Sequence, residues 1–166
     1  MKVSGICAAA LLLAACATNP PVAVEPEPPA RDLLLEVRTA GIGEDALEVK
    51  LLRDAVVTDL IHTAEQCEAA RDFPGADAAL AKALEYVPGD PELTQWRAEL
   101  ALARGQYEAA ATLAQHSFEH GPRLGGLCRR NWATLRIARE LANDALGAQA
   151  AGEQLAQCTV APPVRM

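Results

Sequence analysis

The residues of this chain whose types could do chemistry are three histidines, five cysteines and a scatter of acids. The tightest grouping is His116-Ser117-Phe118-Glu119-His120. Two imidazoles four positions apart share one face of a helix. A zinc ion held there could activate water with Glu119 as base, which would make a small metal-dependent hydrolase. Against this, Gly121-Pro122 ends any helix directly after His120. Glu140 and Glu153 are the only glutamates downstream that could complete a ligand set. A solvated helix face is the expectation, with no metal and no cofactor. His62 stands alone on a helix and reads as structural or exposed. Gly121 to Gly126 is glycine-rich but lacks the Lys-Ser/Thr of a phosphate loop, and reads as an ordinary connection. There is no G-x-S-x-G nucleophile elbow and no G-x-G-x-x-G fingerprint. The expectation is a protein without catalytic activity.

The elements that must position these residues follow from composition. The chain has 166 residues, 51% apolar, 22% charged and only 4% aromatic, so its core must be built mainly from Ala and Leu. Too few β-branched and aromatic residues are present for a sandwich or barrel, which leaves an all-α fold. A net charge of -7 and a pI near 5.0 argue against nucleic-acid binding, which needs a basic face.

The first residues read as an address. Lys2 precedes the apolar stretch Ile6 to Cys16, too short for a membrane span of about 20 residues. Leu13-Ala14-Ala15-Cys16 resembles the bacterial lipobox. The resemblance implies cleavage of residues 1–15, acylation of Cys16 and attachment to the membrane through lipid only. Ala17, where a retention signal would place Asp, implies the outer membrane, facing the periplasm. Residues 16–30 then form a linker with five prolines, Pro20, Pro21, Pro26, Pro28 and Pro29. At about 3.1 Å per residue in an extended proline-rich chain, thirteen of these residues reach roughly 40 Å.

The body repeats. Phe73 and Tyr107, Ala76 and Ala110, Ala83 and Ser117, and Pro88 and Pro122 are each 34 positions apart. Small residues at Ala76 and Ala110 let two antiparallel helices approach, and the prolines stop the second helix of each unit. This pattern resembles the tetratricopeptide repeat (TPR) family. The implied organisation is an N-terminal helical cap at 31–56, repeats at 57–90 and 91–124, a degenerate third hairpin at 125–158 and a tail at 159–166. Arg71 stands where Gly105 supplies the turn glycine, and Thr94 replaces the bulky Leu60 with Trp96 two positions on. In the third unit a helix from Cys128 to about Asn143 turns at Asn143-Asp144, and Ala145 to Cys158 returns. Keeping that turn needs about four extra residues in the first helix. Upstream, Glu44 to Arg71 reads as one long helix or two in line, with Leu47, Leu51, Leu52, Val56, Leu60 and Ile61 apolar. Arg31 to Val37 reads as a short capping helix. The His116–His120 string, which matches the H-x-x-E-H of inverted zinc peptidases, falls on an outer repeat helix.

With Cys7 removed and Cys16 acylated, Cys67, Cys128 and Cys158 remain, allowing three pairings. Cys128 opens one helix and Cys158 closes its antiparallel partner, which favours that pair and leaves Cys67 as a buried thiol. The TPR resemblance implies a binding groove lined by Thr58, Glu65 and Glu68, by Glu92, Gln95 and Glu99, and by Arg129 and Arg136. Such a groove would be acidic at one end and basic at the other. The implied partner is an envelope protein or peptide, not nucleic acid or a small molecule. The implied function is a lipid-anchored periplasmic adaptor, with an assembly factor for a pilus or secretion system as the alternative.

Overall fold

Aspartate sets where most of the helices begin. Asp32, Asp54, Asp72, Asp90 and Asp144 each sit at an N-cap and accept a backbone N–H from the first turn of the helix that follows. The structure, a computed structural model, describes residues 31–43 and 53–159. These hold α1 (Leu33–Gly41), α2 (Ala55–Ala69), α3 (Phe73–Tyr86), α4 (Pro91–Ala103), α5 (Tyr107–His120), α6 (Gly125–Leu141) and α7 (Ala145–Gln157), and no strand. No helix among the described residues is long and apolar enough to cross a membrane. The signal segment, Cys16, the proline-rich linker, Leu47, Leu51, Leu52 and residues 160–166 lie outside the described residues.

Helices α2 to α7 pair as three antiparallel hairpins, α2 with α3, α4 with α5 and α6 with α7, giving an all-α helical-repeat fold. Each hairpin turns through the same backbone motif. In the first, Asp72 N–H donates to Cys67 O and Arg71 N–H to Glu68 O. The second repeats this with Gln106 to Ala101 and Gly105 to Leu102, and the third with Asp144 to Arg139 and Asn143 to Glu140. This is the Schellman arrangement, and it requires a left-handed residue just past the helix. Arg71 (φ 58°), Gly105 (φ 73°) and Asn143 (φ 63°) fill that place. Because the third turn is kept, the longer first helix expected there is present: α6 has 17 residues and α4 has 13.

The hairpins close on alanine. Ala64, Ala76, Ala79 and Ala83 are buried between α2 and α3 together with Leu80, and Leu93 of α4 joins the same core cluster. Ala98, Ala101, Ala110 and Ala114 do the same between α4 and α5. With a single methyl at the contact, backbones approach closely and little rotamer entropy is lost. Ser117, which takes the place of Ala83 in the second unit, is fully buried and donates its hydroxyl to Pro91 O at 2.7 Å. Cys128 and Cys158 form a disulfide, with Cα atoms 5.6 Å apart. Beside it Gly125 N–H donates to Cys158 O at 2.8 Å, so the open end of the last hairpin is tied twice. Cys67 is a free, half-buried thiol packed on the first hairpin's core.

Two expectations are revised. Asp54 has extended backbone and caps α2 at Ala55, which excludes one continuous helix from Glu44 to Arg71; the alternative of two helices in line turns on residues 44–52, outside the described residues. Helix α1 runs Leu33–Gly41 and does not cap the end of the stack. It packs on α6 and α4, on the side made by the first helices of the hairpins. Val37, fully buried, joins Ala101, Ala133 and Ile137 in one cluster there.

The turn motif generates a prediction. Gln106 occupies the N-cap of α5 without a side-chain hydrogen bond, where Asp72 and Asp144 cap the equivalent helices. Gln106→Asp should raise stability by about 1 kcal/mol. Arg71→Gly should add a comparable amount by relieving a left-handed non-glycine residue, about 1 kcal/mol. Each should lift the melting temperature by about 4 °C, read by circular dichroism.

Candidate functional site

The charges on the first-helix side converge under α1. Glu99, in the middle of α4, is 0% exposed. A carboxylate removed from water must be hydrogen-bonded and paired. Arg130 of α6 reaches it through Nε at 2.7 Å and Nη2 at 2.6 Å, and Gln95 Nε2 donates at 3.1 Å. Arg38 of α1 supplies the remaining partner, Nε to Oε2 at 3.0 Å. The same guanidinium grips Glu68 of α2 with both terminal nitrogens, at 2.6 and 2.9 Å. Trp96 Nε1–H donates to Glu68 as well, at 2.5 Å. One arginine thus joins α1, α2 and α4 by planar, charge-assisted bonds that lysine could not reproduce.

A second cluster holds the other end of α1. Arg136 of α6 donates to Glu36 at 2.7 Å, Arg31 to Glu36 at 2.6 Å, and Arg31 to Glu140 at 2.9 Å. Arg129 Nη2 donates to Gly41 O at 3.0 Å, placing a cation at the C-terminus of α1 where the helix dipole favours one. α1 therefore runs antiparallel to α6, Arg31 beside Glu140 and Gly41 beside Gly126. The approach at that end is close. A Cβ on Gly126 would stand 2.9 Å from Gly41 O, and one on Gly41 would stand 2.7 Å from Arg130 Cγ.

These pairings act on the acids. Hydrogen bonding from Arg31 holds the Glu36 carboxyl below the ordinary carboxylate range, against burial and with help from Arg136. At Glu68 burial acts upward, but the hydrogen bonds from Arg38 and Trp96 together outweigh it and leave the carboxyl lowered.

Of the eight residues assigned to an open groove, five meet beneath α1: Glu68, Gln95, Glu99, Arg129 and Arg136. Gln95, Glu99 and Arg129 are buried, so they are not presented to solvent as that reading expected. The reason is that α1 covers the face they line. Arg130, which is not among the groove residues, brings a cation directly onto Glu99. The other three stay exposed and apart. Thr58 bonds its own helix at Asp54 O, Glu65 lies 3.4 Å from His62, and Glu92 pairs with Arg53 at 2.9 Å. Sequence reasoning missed Arg38, Arg130, Glu36 and Trp96. A signal existed: Glu36-Val37-Arg38 puts two opposite charges around one apolar residue at the end of an apolar run.

The His116–His120 string sits at the exposed end of α5. The two imidazoles stack on each other with centroids 4.2 Å apart, and His120 Nδ1 lies 2.9 Å from His116 O. Glu119 accepts from Gln115 at 2.9 Å. Phe118, at the string's centre, packs edge-on against Trp132 and under Arg123, so part of the string serves hairpin packing. Among the described residues no three His, Cys, Asp or Glu side chains converge to hold a metal.

With this geometry in hand, comparison with known proteins finds one informative likeness. The fold is similar to that of the globular C-terminal domain of P. aeruginosa LpoP. The match has a TM-score of 0.59 and 26% sequence identity, and it covers 63% of this chain and 99% of that one. No family model and no curated protein matches the chain.

Two predictions follow from the buried acids. Arg130→Ala removes the two closest partners of a carboxylate with no access to water and should cost about 3 kcal/mol, measured by urea denaturation. Glu36 and Glu68 have folded-state values below their unfolded ones, so their contribution is present above about pH 4.3 and lost as pH falls through the folded values. Trp96 emission, read in a Trp132→Phe background, should stay constant from pH 8 to about 5 and change below about 4. In Glu68→Gln that change should be smaller; an unchanged amplitude would separate Trp96 from Glu68.

Proposed function

We propose that this chain is a lipid-anchored adaptor of the bacterial envelope, built on a short TPR-type array and working by protein–protein contact without catalysis. In this reading residues 1–15 are removed, Cys16 is acylated, residues 16–30 tether the protein at the outer membrane, and the helical unit faces the periplasm. The body divides into a segment at 31–56 and units at 57–90, 91–124 and 125–158. The observation that carries the reading is the pairing of a lipobox-like start with a repeat fold similar to the LpoP domain.

The partner is an envelope protein or peptide, met on the first-helix side. Thr58, Glu65 and Glu92 are exposed at the rim of that side and free of α1. Bound charge there steers association more than it adds affinity.

The anchor and the partner are tested separately. Radiolabelled palmitate should enter the wild-type chain and not Cys16→Ala. Crosslinking in whole cells should then give a discrete adduct that weakens at least severalfold in Glu65→Lys/Glu92→Lys. Labelling that persists in Cys16→Ala would remove the anchor, and an adduct indifferent to the charge reversals would remove the rim contact.

A further inference from the structure

We propose that α1 is a displaceable occupant of the groove, standing in for a partner helix of the same chemistry. The proposal rests on reading the unit as a partner-binding module. Helix α1 has nine residues, below the length at which isolated helices are stable in water, about 12–15 residues. Only Val37 of α1 is fully buried. Leu35 and Ile42 face outward, 63% and 79% exposed. Leu33 and Ala40 pack partly buried beside it, and the rest of its hold is charge: Arg38 on Glu68 and Glu99, and Glu36 on Arg136. The arginines are each about a third exposed, so salt screens these pairs in part, while Glu99 at the base of one of them is fully buried.

The face beneath cannot stand empty at no cost. Without Arg38 the Glu99 carboxylate loses one of its charged partners, and Glu68 keeps, among the described residues, the Trp96 hydrogen bond and the nearby charge of Arg130. Any replacement must restore both. The geometry therefore defines the occupant: a partner helix carrying an acid, a buried aliphatic and an arginine in sequence, with glycine three positions later. The acid meets Arg136, the arginine meets Glu68 and Glu99, and the glycine passes Gly126. The order Glu36-Val37-Arg38 and Gly41 is that pattern. As an intramolecular competitor α1 acts at an effective concentration on the order of millimolar, so a partner succeeds only by binding more tightly or by arriving in multiple copies.

The test uses the full chain in detergent and a fluorescein-labelled peptide of residues 31–43 as probe. Arg38→Glu frees α1 from the groove, and Val37→Asp does so independently by removing its buried anchor. Far-UV circular dichroism and an intact Cys128–Cys158 bond confirm that each variant is folded. Fluorescence polarisation should show the peptide binding both variants at least tenfold more tightly than wild type. A peptide with Glu36 and Arg38 exchanged should bind neither. Adding Gly126→Val to Arg38→Glu should abolish binding by closing the passage for Gly41. Equal affinity for wild type and both variants, or for both peptides, would overturn the proposal. Concentration-dependent dimers of wild type would overturn it too, since a second copy would then be the occupant. Peptide binding that fails while the crosslinked adduct persists places the partner on another face. Peptide binding that succeeds without an adduct leaves the groove chemistry standing and removes the adaptor reading.

Discussion

Glu99 governs the arrangement of the first-helix side. A carboxylate with no exposed surface costs several kcal/mol unless every charge on it is answered. Arg130 answers from α6 and Arg38 from α1, and Gln95 fills the gap along the same helix. Those demands fix three distances at once. They hold the second and third hairpins at one separation, and they require a segment from outside the repeats to lie across them. The alanine interfaces could tolerate several relative tilts, because small smooth contacts select distance more than angle. The polar knot supplies the selection, which is the best-attested use of buried charge.

The repeated hairpin was legible because its determinants are local. A left-handed residue two positions before the helix, an N-cap directly after it and a small residue at the fourth helical position recur around Arg71, Gly105 and Asn143. Each acts over a few bonds, so spacing in the sequence translates directly into geometry. The four-residue lengthening of α6 could be read for the same reason, since two fixed turns leave only the helix between them to grow. The disulfide was legible one level up. Once the third hairpin is antiparallel, Cys128 and Cys158 must be neighbours.

The groove was only half legible. The groove positions implied by the TPR resemblance include Gln95, Glu99, Arg129 and Arg136, and these four lie on the side that α1 covers. Register says nothing about what lies above the side. The covering helix, α1, is far away in sequence, and its charged contribution is a single arginine and a single acid beside the buried Val37. Residues such as Glu99 look like ordinary surface acids in the sequence, since nothing local marks burial. The mark is distributed: α4 and α6 carry apolar residues over more of their circumference than one contact face requires. Leu93, Leu100 and Leu102 on α4 and Ala133, Leu135 and Ile137 on α6 are all buried, which only helices covered from two sides can achieve.

The same uneven distribution sets a hierarchy of strengths within the unit. The hairpins are held by apolar burial and by backbone turn motifs, and the last by a covalent bond, none of which salt weakens. Helix α1 is held by one small apolar contact, around Val37, and by ion pairs whose arginines, Arg31, Arg38 and Arg136, are about a third exposed. Ionic strength and acid therefore act on α1 before they act on the hairpins beneath it. The element most easily loosened is also the one that covers Glu99, the residue least able to stand uncovered. Lifting α1 alone leaves a buried carboxylate short of a partner, so the need of Glu99 holds the cover in place beside the cover's own contacts.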